Sequence, residues 1–378
     1  MRKKNIYLMY AIALLQGMVF YGPIATLYRQ ANGLSVFQIT LIESISYLLC
    51  ILFEIPWGIV ADKIGYRKTM CFCCGLYFVS KVVFWRADGF FDFLLERIML
   101  SVVIAGMSGV DAGILYLSCD RGESRKAFGI YNSLSITGLL SASLVFSVFS
   151  GNSYSMAAFL TVVSYGLAAI LSFFLEEVKR EETHTARLSD IKEILMQIMK
   201  DRSWIGFLIS VAFVTQSHQT ITVFLNQVQY ETCGLSASAI GYIYIGVTLA
   251  GLSGVFSDRL TWKFGEKRTG VAFYLMAAAA CVVSGVTENA LVSVCGVLAL
   301  NVVNSFYQPY QMELQKKQVS SKDRAPVLSV YAMLVDSVSA GTSVIFGALA
   351  DFALKPVFFL GAGICLIGLL FFRSWYKD

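Results

Sequence analysis

Charged residues are scarce in this chain. Only 15% of its 378 residues are Asp, Glu, Lys or Arg, whereas 57% are hydrophobic and the mean hydropathy is +0.66. Soluble globular proteins carry roughly a quarter of charged residues. This composition excludes an ordinary soluble fold and indicates an integral membrane protein.

The chain also lacks the residues that a membrane enzyme or an ATP-driven pump would need. It has two histidines, no cluster with metal-ligand spacing and no G-x-x-x-x-G-K-[ST] phosphate loop. Its nine cysteines lie mostly in or beside apolar runs, and Cys71, Cys73 and Cys74 are typical of small lipid- or protein-facing residues at the start of a helix. We therefore expect no enzyme activity, no cofactor and no metal site.

Long apolar runs are abundant instead. A run of about 20 residues is long enough to cross the hydrocarbon core of a bilayer as a helix. Twelve such runs, called spans 1 to 12 below, are predicted at 6–28, 37–61, 69–86, 91–118, 126–149, 154–175, 204–229, 237–257, 269–287, 290–311, 326–350 and 355–373. The sequence thus predicts an all-α membrane protein with twelve transmembrane helices.

The basic residues are distributed unevenly between the two sides of these spans. If the N-terminus is cytoplasmic, all but five of the 30 Lys and Arg residues lie in cytoplasmic segments; the exceptions are Arg29, Arg86 and Lys355 in outer loops and Lys81 and Arg97 within spans. Because positively charged loops stay inside, we expect a multi-pass protein of the cytoplasmic membrane with both termini in the cytoplasm.

Three charged residues lie near the outer ends of spans 3 and 4. Lys81 is expected to extend to the outer surface, and no function is predicted for it. Glu96 and Arg97 are expected to satisfy each other, water or lipid headgroups.

The segment EIPWGIVADKIGYRK, residues 54–68, separates spans 2 and 3 with an acid, a glycine and a basic pair. It resembles the loop signature of the major facilitator superfamily, G-x-x-x-D-[RK]-x-G-x-[RK]-[RK], through Gly58, Asp62, Lys63, Gly65, Arg67 and Lys68. The motif recurs half a chain length later, between spans 8 and 9 and with a short insertion, as Gly254, Asp258, Arg259 and Gly265. Such an internal repeat is expected of that superfamily.

The resemblance implies the major facilitator fold, in which twelve helices form two pseudo-symmetric six-helix bundles. We expect an N-terminal bundle over 1–175, a cytoplasmic amphipathic linker over 176–202 and a C-terminal bundle over 203–378. In the linker, apolar residues at helical spacing favour a helix on the membrane surface: Leu188, Ile191, Ile194, Leu195, Ile198 and Met199.

The resemblance also implies a conformational switch. In the superfamily the loop acid, here Asp62, contacts the start of span 11 and stabilises the outward-facing state, and a negative charge is favourable at a helix N-terminus. We expect Asp120, at the end of span 4, to complete a charge network with the basic residues of the loop. One position departs from the pattern: Tyr66 stands where many relatives have Arg, and Arg67 is the candidate substitute.

Polar side chains recur on spans 1, 4, 7 and 10, which line the central cavity in the superfamily. The substrate-cavity candidates are Gln16, Ser108, Gln216, Gln219, Asn301, Asn304 and Gln308. On span 4, Ser108 shares one predicted helix face with Ser101, Asp111 and Ser118. Helix packing is the alternative role for Gln16. For His218 in span 7 the alternatives are a proton relay and a hydrogen-bonded structural role.

Three carboxylates are predicted within the membrane: Glu54, Asp111 and Asp336. Each lies about 10–15 Å from the cytoplasmic end of its helix, at about 1.5 Å per residue. An acid at this depth costs roughly 2.5–3.5 kcal/mol, so it must face water, pair with a cation or be protonated. All three are candidates for proton coupling, and a structural hydrogen bond to a neighbouring helix is the alternative for each.

The function implied by the resemblance is secondary active transport by alternating access. The segments EIPWG-x-x-AD, SGVDAGILY and DRAPVLS look like those of a bacterial, multidrug-efflux-like branch, so we expect proton-coupled efflux of small cationic or neutral amphipathic compounds by a functional monomer. Spans 1, 4, 7 and 10 hold no well-placed basic residue, which disfavours an anionic substrate. Span 5 departs from drug:proton antiporters, because it has Gly129 and Gly138 but no proline.

Two alternatives remain at this point. Proton-coupled uptake of a small nutrient would use the same carboxylates. A non-transporting membrane sensor or scaffold would carry large soluble domains or long tails, and this sequence has neither. The expected partners are a small-molecule substrate, protons and the lipid bilayer, and no nucleic acid.

Overall fold

A computed structural model describes residues 2–120, 122–150, 153–178, 194–196, 198–319 and 324–376. Within these residues there is no β-strand, and twelve helices are long and apolar enough to cross a membrane. The predicted all-α architecture with twelve spans is therefore confirmed. Most of the predicted amphipathic linker, residues 179–193, lies outside the described residues.

Most spans are single helices, and four are built from consecutive pieces. The helices of the first six spans are Arg2–Gly17 with Ala25–Ala31, Val36–Ile64, Tyr66–Arg86, Phe90–Met107 with Val110–Ser118, Ser124–Val145, and Tyr154–Ser172. Those of the last six are Arg202–Gln219 with Asn226–Thr232, Ala237–Gly251 with Ser257–Phe264, Glu266–Val286, Ala290–Lys317, Arg324–Phe352, and Leu354–Trp375.

The interruptions fall within spans 1, 4, 7 and 8. Span 1 has a 3₁₀ turn that contains Pro23, and span 4 breaks at Gly109, which has a φ of 78°. Span 7 contains the π-helical segment Thr220–Leu225, and span 8 the 3₁₀ segment Leu252–Phe256. Irregular backbone is tolerated at membrane depth only where protein or water satisfies its polar groups. Five of the six residues of the span 7 segment are buried, whereas none of the span 8 segment is.

The predicted loop between spans 2 and 3 is shorter than expected. The helix of span 2 continues through Ile64 despite Pro56, and only Gly65 separates it from the helix of span 3. Gly65 has a φ of 91°, a left-handed conformation that only glycine adopts without strain. Gly265 occupies the corresponding place between spans 8 and 9 with a φ of 80°. The two halves of the sequence repeat thus have the same local structure.

The chain forms two compact units. The first comprises 1–34, 48–185 and 236–245, and the second comprises 35–47, 186–235 and 246–378. The first part of span 2 therefore belongs to the second unit, and the first part of span 8 to the first unit. The linear division at 1–175, 176–202 and 203–378 stays a prediction.

Small residues bring spans 1 and 5 of the first unit into backbone contact. A Cβ atom added to Gly17 would lie 2.1 Å from the carbonyl oxygen of Ser135, and one added to Gly138 would lie 2.2 Å from that of Leu14. Lipid tails are as apolar as the helix surfaces, so membrane helices associate through close packing of this kind. These two glycines fix where spans 1 and 5 cross.

In the second unit, aromatic rings and hydroxyl groups join the helices. The Tyr274 hydroxyl lies 2.7 Å from the Ser210 hydroxyl and 2.9 Å from that of Tyr307, and all three side chains are buried. The ring of Phe372 packs beside Tyr274, with 5.3 Å between ring centroids. The hydroxyl chain links spans 7, 9 and 10 and leaves no hydroxyl of the three without a partner.

Span 11 also packs closely against the start of span 2, within the second unit. Ser44 donates to the carbonyl oxygen of Ala340 at 2.7 Å, and Ser343 donates to that of Thr40 at 3.2 Å. At the start of the helix, the backbone N–H of Phe37 donates to the Asp351 carboxylate at 3.0 Å. The two hydroxyl-to-carbonyl hydrogen bonds hold the start of span 2 and span 11 in register.

Candidate functional site

Asp111 lies directly after the break in span 4. Ser108 and Gly109 separate the two helical pieces, and Asp111 occupies the first turn of the second, where a negative charge is favourable. Its carboxylate accepts a hydrogen bond from the N–H of Ala112 at 2.6 Å and another from the Tyr131 hydroxyl at 3.4 Å. Asp111 is half-buried, whereas Ser108 and Gly109 beside it are exposed. The acid is thus anchored inside the protein next to an accessible backbone break.

The predicted polar face of span 4 is divided by this break. Ser101 and Ser118 are almost completely buried, whereas Ser108 is exposed. Ser101 donates to the carbonyl oxygen of Arg97 at 2.9 Å. The prediction assumed one continuous helix, and the left-handed Gly109 ends that periodicity. Of the serines, Ser108 alone lies beside Asp111 and is exposed.

Gln16 ends the first helical piece of span 1 and contacts spans 3 and 6. Its amide donates to the Cys74 sulfur at 3.4 Å, and its backbone carbonyl accepts from the Tyr165 hydroxyl at 2.6 Å. These contacts support the helix-packing role that the sequence left open for this residue. Gln16 is only half-buried.

His218 in span 7 is hydrogen-bonded to Asn301 in span 10, with 3.0 Å between His218 Nε2 and Asn301 Oδ1. The Asn301 amide nitrogen donates to the carbonyl oxygen of Val247 in span 8 at 2.7 Å, which leaves Oδ1 as an acceptor. The hydrogen-bond network therefore assigns a proton to His218 Nε2. His218 and Asn301 together connect three spans of the second unit.

The two glutamines of span 7 differ in their surroundings. Gln216 is 1% exposed and donates to the Thr220 hydroxyl at 3.0 Å, at the start of the π-helical segment. Gln219 is only half-buried. Single turns of π-helix occur often at functional sites. Gln219 is thus the accessible member of the pair, and Gln216 is buried beneath it.

Span 10 carries a row of amide side chains in mutual contact. The Gln308 amide donates to Asn304 Oδ1 and to the Thr215 hydroxyl of span 7, both at 3.4 Å. Gln311 donates to Gln308 at 3.1 Å, and Gln315 donates to Gln311 at 2.6 Å. Asn304 and Gln308 are half-buried, so the row ends in groups that can exchange hydrogen bonds with a solute.

Glu54 and Asp336 are each half-buried in their spans. Glu54 belongs to the first compact unit and Asp336 to the second. Their expected proximity stays a prediction.

A family model identifies the chain. The model of the Major Facilitator Superfamily matches residues 6–341. The chain belongs to the Major Facilitator Superfamily. It is therefore an integral, multi-pass membrane transporter of a small-molecule substrate and not an enzyme, and the resemblance inferred from the loop signature is confirmed.

Individual relatives of this superfamily transporter are distant. It is 24% identical over 271 residues to the uncharacterized MFS-type transporter YxaM of Bacillus subtilis (strain 168), a match that covers 68% of this chain and 66% of that protein. The matched region thus spans slightly less than two thirds of that relative's length. The fold resembles the nucleoside transporter NupG, with a TM-score of 0.82 at 12% identity over 99% of both chains. It also resembles the D-xylose-proton symporter, with a TM-score of 0.74 at 16% identity over 97% of this chain and 96% of that one. At these identities the likeness shows the fold alone.

The superfamily signature contacts the end of span 6. The backbone N–H of Arg67 donates to the Glu177 carboxylate at 3.2 Å, and its guanidinium donates to the carbonyl oxygen of Phe173 at 3.1 Å. Among the described contacts none joins Arg67 to Asp120. Arg67 therefore connects spans 3 and 6, and the network expected with Asp120 stays a prediction.

The other signature residues lie on the helices that flank Gly65. Gly58 and Asp62 belong to the helix of span 2, and the Asp62 side chain lies outside the described part of the chain. Lys63 and Lys68 are exposed. The proposed contact of Asp62 with span 11 stays a prediction.

Sequence reasoning missed a buried ion cluster in the first unit. Lys81 Nζ lies 3.1 Å from Glu96 Oε1, and the guanidinium of Arg29 lies 4.0 Å from Glu96 Oε2. The expectation that Lys81 reaches the outer surface is wrong, because Lys81 is 3% exposed and its Nζ lies between 5.1 and 5.6 Å from the ring centroids of three tyrosines: Tyr21, Tyr77 and Tyr165. The signal was available, since Lys81 and Glu96 have similar distances from the outer ends of adjacent antiparallel spans.

Proposed function

We propose that this transporter couples proton movement to the export of a small cationic or neutral solute, with Asp111 as the group that carries the proton. The observation that supports this proposal is the placement of Asp111 beside the exposed break in span 4. An acid at membrane depth must pair, face water or be protonated. No ion pair among the described residues includes Asp111, and two hydrogen bonds hold its carboxylate, so no fixed cation opposes its protonation.

The remaining polar groups support a neutral or cationic solute. The candidates on spans 7 and 10 are amides and an imidazole, which exchange hydrogen bonds but provide no fixed positive charge. The two buried cations near the outer ends, Arg29 and Lys81, both lie beside Glu96. Neither cation lies on span 7 or span 10, which carry the amide and imidazole candidates.

Uptake is the second candidate function, and the amide row of span 10 favours it. Asn304 and Gln308 can each accept and donate hydrogen bonds, as a solute rich in hydroxyl groups requires. Such a solute would enter with a proton on Asp111, whereas an amphipathic cation would leave in exchange for one. The two functions therefore share one acid and differ in the direction of coupled flux.

Reconstituted liposomes with an internal pH dye test both functions. Addition of ethidium as a cationic probe, or of D-xylose or uridine as hydroxyl-rich probes, should move protons through the wild-type protein. Asp111→Asn should abolish this proton movement while solute exchange without a pH gradient continues. Asp88→Asn, which changes an exposed loop acid, is the matched control. Unchanged proton flux in Asp111→Asn would remove Asp111 from the mechanism.

We further propose a functional monomer in the cytoplasmic membrane with both termini inside. The uneven distribution of Lys and Arg supports this orientation. Cysteine-accessibility labelling at each terminus in intact cells tests it, and labelling of either terminus from outside would overturn it.

A further inference from the structure

Three basic side chains converge on one membrane-facing groove of the second unit. Lys267 and Arg268 lie in the first turn of span 9, and Arg373 lies in the last turn of span 12. They line a groove of about 550 Å³ together with apolar residues of span 9: Val271, Ala272 and Leu275. We propose that this groove binds the phosphate headgroup of an anionic phospholipid.

Close packing of spans 9 and 12 sets the position of the three cations. A Cβ atom on Gly270 would lie 2.3 Å from Cζ of the Phe372 ring, so glycine is required for the two helices to approach this closely. Arg373 follows Phe372 directly, and Lys267 and Arg268 lie within one turn before Gly270. The contact thus brings the basic end of each helix to the same membrane level.

The groove has the two-part chemistry of a lipid rather than of a free ion. Val271 and Leu275 follow Lys267 at intervals of four residues, so they form an apolar column on the same helix face. Leu275 is 46% exposed. A headgroup phosphate beside the cations would place its acyl chains along this column. Basic pockets between transmembrane helices bind anionic headgroups in this way.

The cations of the groove are not neutralised by an acid, although the Lys267 ammonium lies 5.4 Å from the centroid of the Tyr376 ring. No ion pair among the described residues includes Lys267, Arg268 or Arg373. The acid beside them, Glu266, is paired with Lys317 of span 10. In the first unit the corresponding turn differs, because Arg67 donates to Phe173 and its backbone is capped by Glu177. The second unit therefore presents the open basic groove, at the membrane face predicted to be cytoplasmic.

Native mass spectrometry of the full-length purified protein tests the proposal. Wild type should retain phosphatidylglycerol and should not retain phosphatidylcholine. The triple variant Lys267→Gln, Arg268→Gln and Arg373→Gln should bind phosphatidylglycerol about a hundredfold more weakly, and each single variant about fivefold, at about 1 kcal/mol per cation near an anionic surface. The control variant Lys126→Gln, Lys200→Gln and Lys316→Gln removes the same charge from exposed positions outside the groove and should bind as wild type does.

Each remaining outcome overturns the proposal. Equal losses in the two triple variants would show a general charge effect. Equal retention of phosphatidylcholine would show that charge does not select the lipid. Displacement of the lipid by inorganic phosphate at similar concentrations would assign the groove to free phosphate. If the groove triple variant does not fold, the single variants decide. The site is contradicted if none of them binds phosphatidylglycerol about fivefold more weakly than wild type.

Discussion

The ammonium group of Lys81 lies 3.1 Å from the Glu96 carboxylate, and the two side chains are 4% and 1% exposed. Lys81 comes from span 3 and Glu96 from span 4, so the pair joins two helices inside the first unit. Both charges have left water, and loss of either one would leave the other buried with its main opposite charge removed. Arg29, 4.0 Å from the same carboxylate, ties the end of span 1 to them.

Removal of one charge should therefore destabilise the protein strongly. We expect Glu96→Gln to lower stability by about 3–5 kcal/mol, because it removes the carboxylate that pairs with the buried Lys81 ammonium. The measurement is thermal unfolding of the purified transporter in detergent. The double variant Lys81→Met, Glu96→Gln should recover part of the loss, and an additive effect of the two substitutions would contradict the ion-pair interpretation.

The exposed pair Lys355 and Glu288 provides the matched control. Its atoms are 2.6 Å apart, but the side chains are 59% and 80% exposed. Lys355 holds the pKa of Glu288 below its usual range through their hydrogen bond. Any stability from this pair is therefore present above the unfolded pKa of Glu288 and is lost as pH falls through the folded pKa. We expect Glu288→Gln to leave the unfolding temperature unchanged at neutral pH, because solvent screens such pairs.

The crossing of spans 1 and 5 should tolerate no added side-chain volume at Gly138. Gly138→Ala places a methyl group where only 2.2 Å separates it from the carbonyl oxygen of Leu14, so the helices must move apart. We expect a loss of about 1–3 kcal/mol, the usual cost of overpacking. Gly129→Ala in the same span meets nothing within 4 Å and should be neutral or slightly stabilising. Equal unfolding temperatures for the two variants would show that the crossing is not tightly packed.

The membrane setting explains why much of the fold could be predicted. A helix that crosses a bilayer needs about 20 apolar residues, so the twelve spans are visible in composition alone, and the Gly65 turn is visible because its left-handed backbone demands glycine. The local breaks could not be predicted, since nothing in the residues around Thr220 distinguishes a π-helix from an α-helix. The contacts of Gln216 and Arg67 also depend on which helices adjoin them. The sequence therefore identified Asp111 as a candidate but not the exposed backbone beside it.

The hydrogen bond between His218 and Asn301 allows the two predicted roles of His218, a proton relay and a structural hydrogen bond, to be distinguished by substitution. His218→Gln keeps a donor toward Asn301 Oδ1 and should retain transport with its pH dependence. His218→Leu removes the donor and leaves the amide oxygen of the half-buried Asn301 without this partner, which should cost about 1 kcal/mol. Transport at several pH values and thermal unfolding are the two measurements. The control is His184→Gln, which changes the other histidine of the chain, in the predicted linker. Loss of the pH dependence of transport in His218→Gln, but not in this control, would favour the proton relay instead.

Glu177 caps the start of span 3 through the N–H of Arg67, at 3.2 Å, and a Cβ on Gly65 would lie 2.8 Å from the same carboxylate. We expect Glu177→Ala to cost about 0.5–2 kcal/mol, as loss of an N-terminal cap does, and Glu177→Gln to cost less because the amide oxygen still accepts the hydrogen bond.

Gly65→Ala adds backbone strain to a steric conflict, whereas Gly33→Ala has a similar φ of 88° with nothing within 4 Å. Backbone strain is common to the two variants, and only Gly65→Ala meets Glu177. The difference between their unfolding temperatures therefore reports the contact with Glu177. If Gly65→Ala is no worse than Gly33→Ala, the signature turn is constrained by its backbone alone and the contact with span 6 contributes nothing to it.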